Sequence, residues 1–137
     1  MHHIIYLSQA THSLSDEQLQ KILLQARRYN AERNITGLLL YGNGHFLQVI
    51  EGEQQTVTAL YEKIKRDARH GSVITFANKA IEQRTFAEWS MAFKPASAEQ
   101  FAYLMDFAPL TPFAADQPHM TTVDARLLQT LQAFVLP

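Results

Sequence analysis

The order of apolar runs along the chain predicts an α+β domain: a βαββαββ sheet with two helices on one face and C-terminal helices covering the other. Three observations carry this prediction. Short β-branched or apolar runs alternate with two stretches of helical periodicity. Each strand–helix–strand unit is about the size that a crossover connection needs. Both faces of the predicted strands are apolar, so both need cover. The natural architecture for this order is a ferredoxin-like sheet with both crossover helices on the same side.

Ile4 to Ser8 is the first strand-like run, and Thr11 to Ser15 is polar and turn-like. Ser15 with Gln18 three residues on forms a capping box, and Asp16 and Glu17 suit a helix N-terminus. Leu19, Ile22, Leu23, Ala26 and Asn30 follow helical spacing, and this helix is expected to end near Asn34. Ile35 to Tyr41 is the second strand. Gly42-Asn43-Gly44 is a hairpin signal, because these residues tolerate positive φ, and Phe46 to Glu51 returns. Val57, Leu60, Tyr61 and Ile64 mark a second amphipathic helix, ended by Asp67 to Gly71. Ser72 to Ala80 reads as a fourth strand and Glu88 to Phe93 as a fifth.

Beyond Pro95 the pattern changes. Ala98 to Phe107 has helical composition, Pro109, Pro112 and Pro118 mark a linker, and Asp124 to Phe134 carries an apolar stripe of Leu127, Leu128, Leu131 and Phe134. The expected organisation is a core over residues 1–94 and a helical extension over 95–137, whose stripe packs on the sheet or on another subunit.

Composition narrows the function. The 137 residues fit one domain, and 47% hydrophobic with 18% charged residues is a globular balance. A net charge of -1 disfavours nucleic acid as a partner. No cysteine is present, so disulfides, thiolate metal sites and thiol adducts with a cofactor are excluded. No stretch reaches the ~18 apolar residues a membrane-spanning helix needs. The start, Met1-His2-His3 followed by Ile4 to Leu7, lacks the features of a signal peptide, and a cytoplasmic location is expected. No pair among the six histidines has the spacing of a helical metal motif, so no metal is expected.

The informative residues are polar ones on core-facing positions. Tyr6 and Gln48 lie mid-strand, on the parity that carries Ile4, Phe46 and Ile50. Asn30 lies one turn beyond Ala26 on the inward stripe of the first helix. Buried polar groups need partners, and one phenol satisfies only part of a glutamine amide. With Ile22 and Ile64 on the inward stripes of the two helices, these residues outline a slot with apolar walls and a polar inner end, suited to a flat heteroaromatic ring. The ordinary alternative is a core Tyr and Gln bonded to backbone.

Longer stretches resolve the choice. Tyr6-Leu7-Ser8, Asn30 before Ile35-Thr36-Gly37-Leu38-Leu39-Leu40-Tyr41, then Phe46-Leu47-Gln48-Val49-Ile50-Glu51-Gly52, Ile64, Asp67-Ala68-Arg69-His70 and Arg84-Thr85-Phe86-Ala87-Glu88-Trp89-Ser90-Met91 occur in order. Over about Ile4 to Phe93 the chain resembles BLUF domains, blue-light sensors using flavin. The resemblance implies non-covalent binding of FAD, with FMN or riboflavin as shorter forms. It implies Tyr6 as the photoactive tyrosine and Gln48 as the switching glutamine. It further implies Asn30 on the flavin carbonyl and ring N–H, Ile22 and Ile64 on the two ring faces, Arg69 and His70 near the polar edge, and Trp89 and Met91 as a fifth-strand pair that passes the signal outward. Ala26 and Tyr29 depart from the residues common at their positions, and the segment after Phe93 carries no match.

The expected function is a photoreceptor rather than an enzyme, acting on an unidentified protein partner or through a homo-oligomer. The alternative is a light-insensitive flavin-binding or protein-interaction module. A small hydrolase on this scaffold would want a basic residue in an anion-cradling loop after the first strand, and Gln9 to Ser15 has no Lys or Arg.

Overall fold

A computed structural model of the chain describes residues 1–107 and 122–135. The elements are β1 (His2–Ala10), α1 (Asp16–Glu32), β2 (Thr36–Gly42), β3 (His45–Gly52), α2 (Gln54–Arg66), β4 (His70–Ala80), β5 (Ala92–Pro95), α3 (Ala98–Met105) and α4 (Thr122–Val135). Five strands form one sheet in the order β4-β1-β3-β2-β5. β1 runs antiparallel to both β3 and β4, β2 antiparallel to β3, and β5 parallel to β2. This is the expected ferredoxin-like topology with a short parallel strand added at one edge. The linker prolines Pro109, Pro112 and Pro118 lie outside the described residues.

The local signals act where the sequence places them. The Ser15 hydroxyl accepts from the Gln18 backbone while the Gln18 side chain accepts from the Ser15 backbone, which starts α1. Arg33 caps it and Asn34 turns to φ 56, so the helix stops at Glu32, two residues before the expected end. Asn43 (φ 50) and Gly44 (φ 74) make the β2–β3 hairpin through the left-handed region. Gly37 is obligatory for a different reason: a Cβ there would lie 1.9 Å from the Val49 carbonyl oxygen.

Two strand expectations need correction. β1 and β4 are longer than read, because Gln9 and Ala10 continue the ladder to Gly71 and His70. The fifth strand begins at Ala92 rather than Glu88, so Trp89 and Met91 precede it. Side chains hold the chain there instead of a ladder: the buried Glu51 carboxylate accepts from the Thr85 and Phe86 backbone N–H groups at 2.8 and 2.6 Å and from Thr36 Oγ1 at 2.9 Å. Arg84 closes this arrangement by donating to Thr36 Oγ1, the Glu51 carbonyl and the Asn34 carbonyl.

Strand alternation divides the interior into two cores. Ile4, Tyr6, Phe46, Ile50 and Leu39 face α1 and α2 and meet Leu19, Leu23, Val57, Leu60 and Tyr61. Ile5, Leu7, Leu38, Leu40, Leu47 and Val49 face the other way and meet Phe101 and Leu104 of α3 and Leu127, Leu128 and Leu131 of α4. A register shift between Ile5 and Tyr6 lets the neighbours Phe76 and Ala77 both join this second core, as a β-bulge allows. The stripe at the C-terminus therefore covers the sheet. At roughly 1.5–3 kcal/mol for each fully buried Leu, its three leucines outweigh any net gain from the buried ion pair of Lys79 Nζ with Asp124 Oδ2 at 2.5 Å.

His3 lies beside that pair, opposite Lys79 in the ladder. It is fully buried, and neither ring nitrogen has a hydrogen-bond partner among the described residues. Burial pushes its imidazole down to about 4, with Asp124 acting in the opposite sense and His2 and Lys79 adding to the fall. The unfolded chain therefore binds a proton that the folded chain refuses between pH 6.5 and about 4. The His3 contribution to stability is complete above pH 6.5 and falls away toward pH 4, by about 3 kcal/mol. Urea denaturation at pH 7 and pH 4.5 checks this: His3→Gln should flatten part of the acid loss, and an unchanged slope would remove His3 as a source.

Candidate functional site

The site lies on the α1–α2 side of the sheet. A cleft of about 500 Å³ opens between the two helices, lined by Ile22, Gln25, Ala26, Tyr29 and Asn30 of α1, Leu39, Phe46 and Gln48 of the sheet, Leu60, Lys63 and Ile64 of α2, and Asp67, Arg69 and His70 beyond it. The volume is in the range of small-molecule and cofactor sites. The helical spacing of Ile22, Ala26, Tyr29 and Asn30 puts them on one face of α1, as Leu60, Lys63 and Ile64 share a face of α2.

Of the expected site residues, the cleft wall brings together Ile22, Asn30, Gln48, Ile64, Arg69 and His70. Tyr6 does not line it. Tyr6 sits one strand over, paired with Gln48 across β1 and β3, and its hydroxyl donates to Gln48 Oε1. The other end of the same amide, Nε2, donates to Met91 Sδ at 3.6 Å. A donor, a two-ended amide and a soft acceptor thus form a buried chain whose middle member, Gln48, reaches the cleft. Met91 is 1% exposed and belongs to this core, whereas Trp89 packs on the opposite core near Phe86. The two residues expected to act as a pair occupy different sides of the sheet.

The electrostatics are graded from floor to rim. Burial pushes the Tyr6 phenol well above its ordinary range, with Tyr61 and Asp67 adding to this, so the hydroxyl stays a proton donor. His70 shares a 2.8 Å hydrogen bond with Ser8 and packs against Phe46 and Tyr6. Burial lowers its pKa, against the pull of Asp67. At the rim Arg69 Nε donates to both Asp67 oxygens at 3.0 and 3.1 Å, which holds that carboxyl down to about 2. Lys63 Nζ is 4.7 Å from the Tyr29 ring centroid, and the Arg33 guanidinium stacks on the same ring at 3.6 Å.

Asn30 has a second duty. Its Nδ2 donates to the Ser90 carbonyl at 2.7 Å, so the residue expected to face a ligand also ties α1 to the chain before β5. Leu39 and Leu60 add apolar wall that the sequence reading did not assign, although the register of the Asn43-Gly44 hairpin, which pairs Leu39 with Gln48, and the α2 stripe point to both. Two flat apolar walls, a polar floor and charged groups at one rim fit an isoalloxazine ring, whose polar atoms run along one edge.

A family model described as sensors of blue-light using FAD matches residues 1–92, about two-thirds of the 137. This chain is a BLUF domain. Among curated proteins, the BLUF match includes photoactivated adenylate cyclase subunit beta of Euglena longa, 43% identical over 89 residues that make up 64% of this chain and 10% of that protein. A photoactivated adenylate cyclase subunit beta-like protein of Euglena gracilis is 37% identical over 108 residues, 78% of this chain and 12% of that protein. The chain thus spans about a tenth of the length of these relatives. Among solved structures, the ground state of BlsA aligns at TM-score 0.74 and 27% identity, covering 99% of this chain and 88% of that one. The dark state of BlrB, a BLUF protein, aligns at 0.71 and 26%, covering 96% and 95%. These alignments extend past the family match, over the sheet cover formed by α3 and α4. The BLUF family is one of blue-light sensors that use FAD. Among the described residues no helix is long and apolar enough to cross a membrane.

Proposed function

We propose that this BLUF domain switches by rearranging the hydrogen bonds of Gln48, and that the change leaves the site through Met91 to a protein partner or to the assembly state of the chain. The observation that carries this reading is the buried series Tyr6 Oη–Gln48–Met91 Sδ, whose glutamine lines the cleft. Ile22 and Ile64 would hold the two faces of the flavin, and Asn30, Gln48, Arg69 and His70 its polar edge. The bound flavin supplies blue-light absorption and an electron acceptor.

The residues supply the rest. Tyr6 is a one-electron donor, and its proton already points at Gln48 Oε1. The two ends of the Gln48 amide are nearly isosteric. Rotating or tautomerising it exchanges donor for acceptor toward Tyr6, Met91 and the cleft without moving the backbone. The Nε2 contact with Met91 is then lost, and the thioether is free to leave. The bistable element is this amide and its neighbours.

The test is a visible absorption spectrum before and after blue light. A flavin spectrum that shifts to the red and recovers in the dark supports the switch. A flavin-containing protein without the shift makes it a light-insensitive binder, and a protein that refuses added flavin leaves an interaction module. Gln48→Leu separates the amide from the rest of the site: the ring should remain bound, with affinity changed by less than about tenfold, and the shift should disappear. Persistence of the shift would mean that the amide is not the switch.

A further inference from the structure

The segment that carries Met91 is held to α1 by two side chains. Asn30 Nδ2 donates to the Ser90 carbonyl at 2.7 Å, and one turn earlier Arg27 Nε donates to the Met91 carbonyl at 2.9 Å. Arg27 does not line the flavin cleft. It borders a separate groove of about 370 Å³ formed with Glu88, Trp89, Ser90, Met91, Ala92 and Phe93. Upstream, residues 85 and 86 are fixed by Glu51, and the Trp89 carbonyl accepts from Gly37 N–H at 3.1 Å. The Met91 backbone carbonyl is therefore the place where α1 reaches the residue that touches Gln48.

We propose that Arg27 is a positioning residue of the light switch: its bond to the Met91 carbonyl keeps the Met91 thioether in place for Gln48 Nε2 and so sets the rate at which the signalling state relaxes. This rests on the switch reading given above. Recovery requires the amide to return to an arrangement in which Nε2 donates to sulfur. A thioether is a weak acceptor, so its placement matters more than its strength. Met has three rotatable bonds and no directional hold of its own, so the position of the backbone it hangs from decides where its sulfur sits within the core around it. Arg27 fixes that backbone from the helix that also forms one wall of the cleft.

The experiment uses the flavin-loaded full chain and two variants, Arg27→Ala and Arg27→Lys. In Arg27→Ala the flavin should stay bound, and dark recovery should slow by roughly three- to tenfold, as loss of about one hydrogen bond from the recovering arrangement implies. Arg27→Lys, which can still donate to the carbonyl, should restore much of the rate. Recovery that is unchanged or faster in Arg27→Ala would overturn the proposal. A second readout does not depend on the photocycle. Trp89 is the only tryptophan and lies two residues from Met91; its fluorescence should become more accessible to acrylamide in Arg27→Ala, with Arg27→Lys close to wild type. Should the wild-type chain show no photocycle, the switch reading fails, and the tryptophan measurement alone decides the clamp: equal quenching in Arg27→Ala and wild type would overturn it.

Discussion

Tyr6→Phe is expected to leave the flavin bound and to abolish the light-induced red shift. The substitution removes one oxygen from a fully buried ring and preserves its packing against Tyr61 and His70. Because Tyr6 does not line the cleft, the walls that would hold the ring are untouched. What disappears is both the electron donor and the proton that Gln48 Oε1 accepts. Gln48 is left with an oxygen that has lost its donor in a buried site, which destabilises the fold by about 1–3 kcal/mol, too little to unfold a domain of ordinary stability. Tyr61 is the obvious substitute, with its ring centroid 5.3 Å from that of Tyr6, but its hydroxyl is engaged with Thr75 on β4. Absorption spectra before and after illumination, with denaturation to confirm folding, decide the matter. A normal photocycle in Tyr6→Phe would remove Tyr6 from the mechanism. A shift lost only when Tyr61→Phe is added would transfer the donor role to Tyr61.

Tyr6 and Gln48 were legible because burial and polarity conflict there, and alternation alone sets their face. The same argument placed Asn30, and helical spacing placed Ile22 and Ile64 on the cleft wall. Alternation failed at residues 88–91. Trp89 and Met91 share a parity, so a strand reading puts them on one face. The chain from Arg84 to Met91 is held by Glu51, Arg84, Arg27 and Asn30 rather than by a ladder, and the two side chains reach opposite cores. No periodicity encodes such an arrangement, because its partners are 33–64 positions away in sequence. Glu51 could have been suspected: a carboxylate that continues an apolar strand needs donors, and Arg84 stands in the same family stretch. Arg27 gave no such signal, since an arginine on an exposed helix face is ordinary.

The largest effect on stability is expected at the other end of the molecule. Lys79 and Asp124 are buried together, 2% and 7% exposed, where α4 begins its crossing of the sheet. Their attraction is offset by the desolvation of both charges, so the pair itself adds little. Removing one member is different. Lys79→Ala leaves the Asp124 carboxylate buried without this counter-ion, a loss of about 3–5 kcal/mol, which is a large share of a domain's total. His3 cannot compensate at neutral pH, because burial keeps it uncharged there. The double variant Lys79→Met with Asp124→Leu removes both charges at similar volume and should return stability to within about 1 kcal/mol of wild type or above it. Urea unfolding at pH 7 measures all three chains. A loss under about 1 kcal/mol in Lys79→Ala would mean that water or another partner compensates the Asp124 charge. If the double variant is as unstable as the single one, the leucines of α4 do not suffice to seat the helix and the ion pair determines its position. In either case the flavin cleft, on the far side of the sheet, should keep its ligand as long as the sheet is folded. A flavin affinity that falls in step with the stability of α4 would instead couple the two faces through β1 and β3, the strands that carry Tyr6 and Gln48 on one side and the floor under α4 on the other.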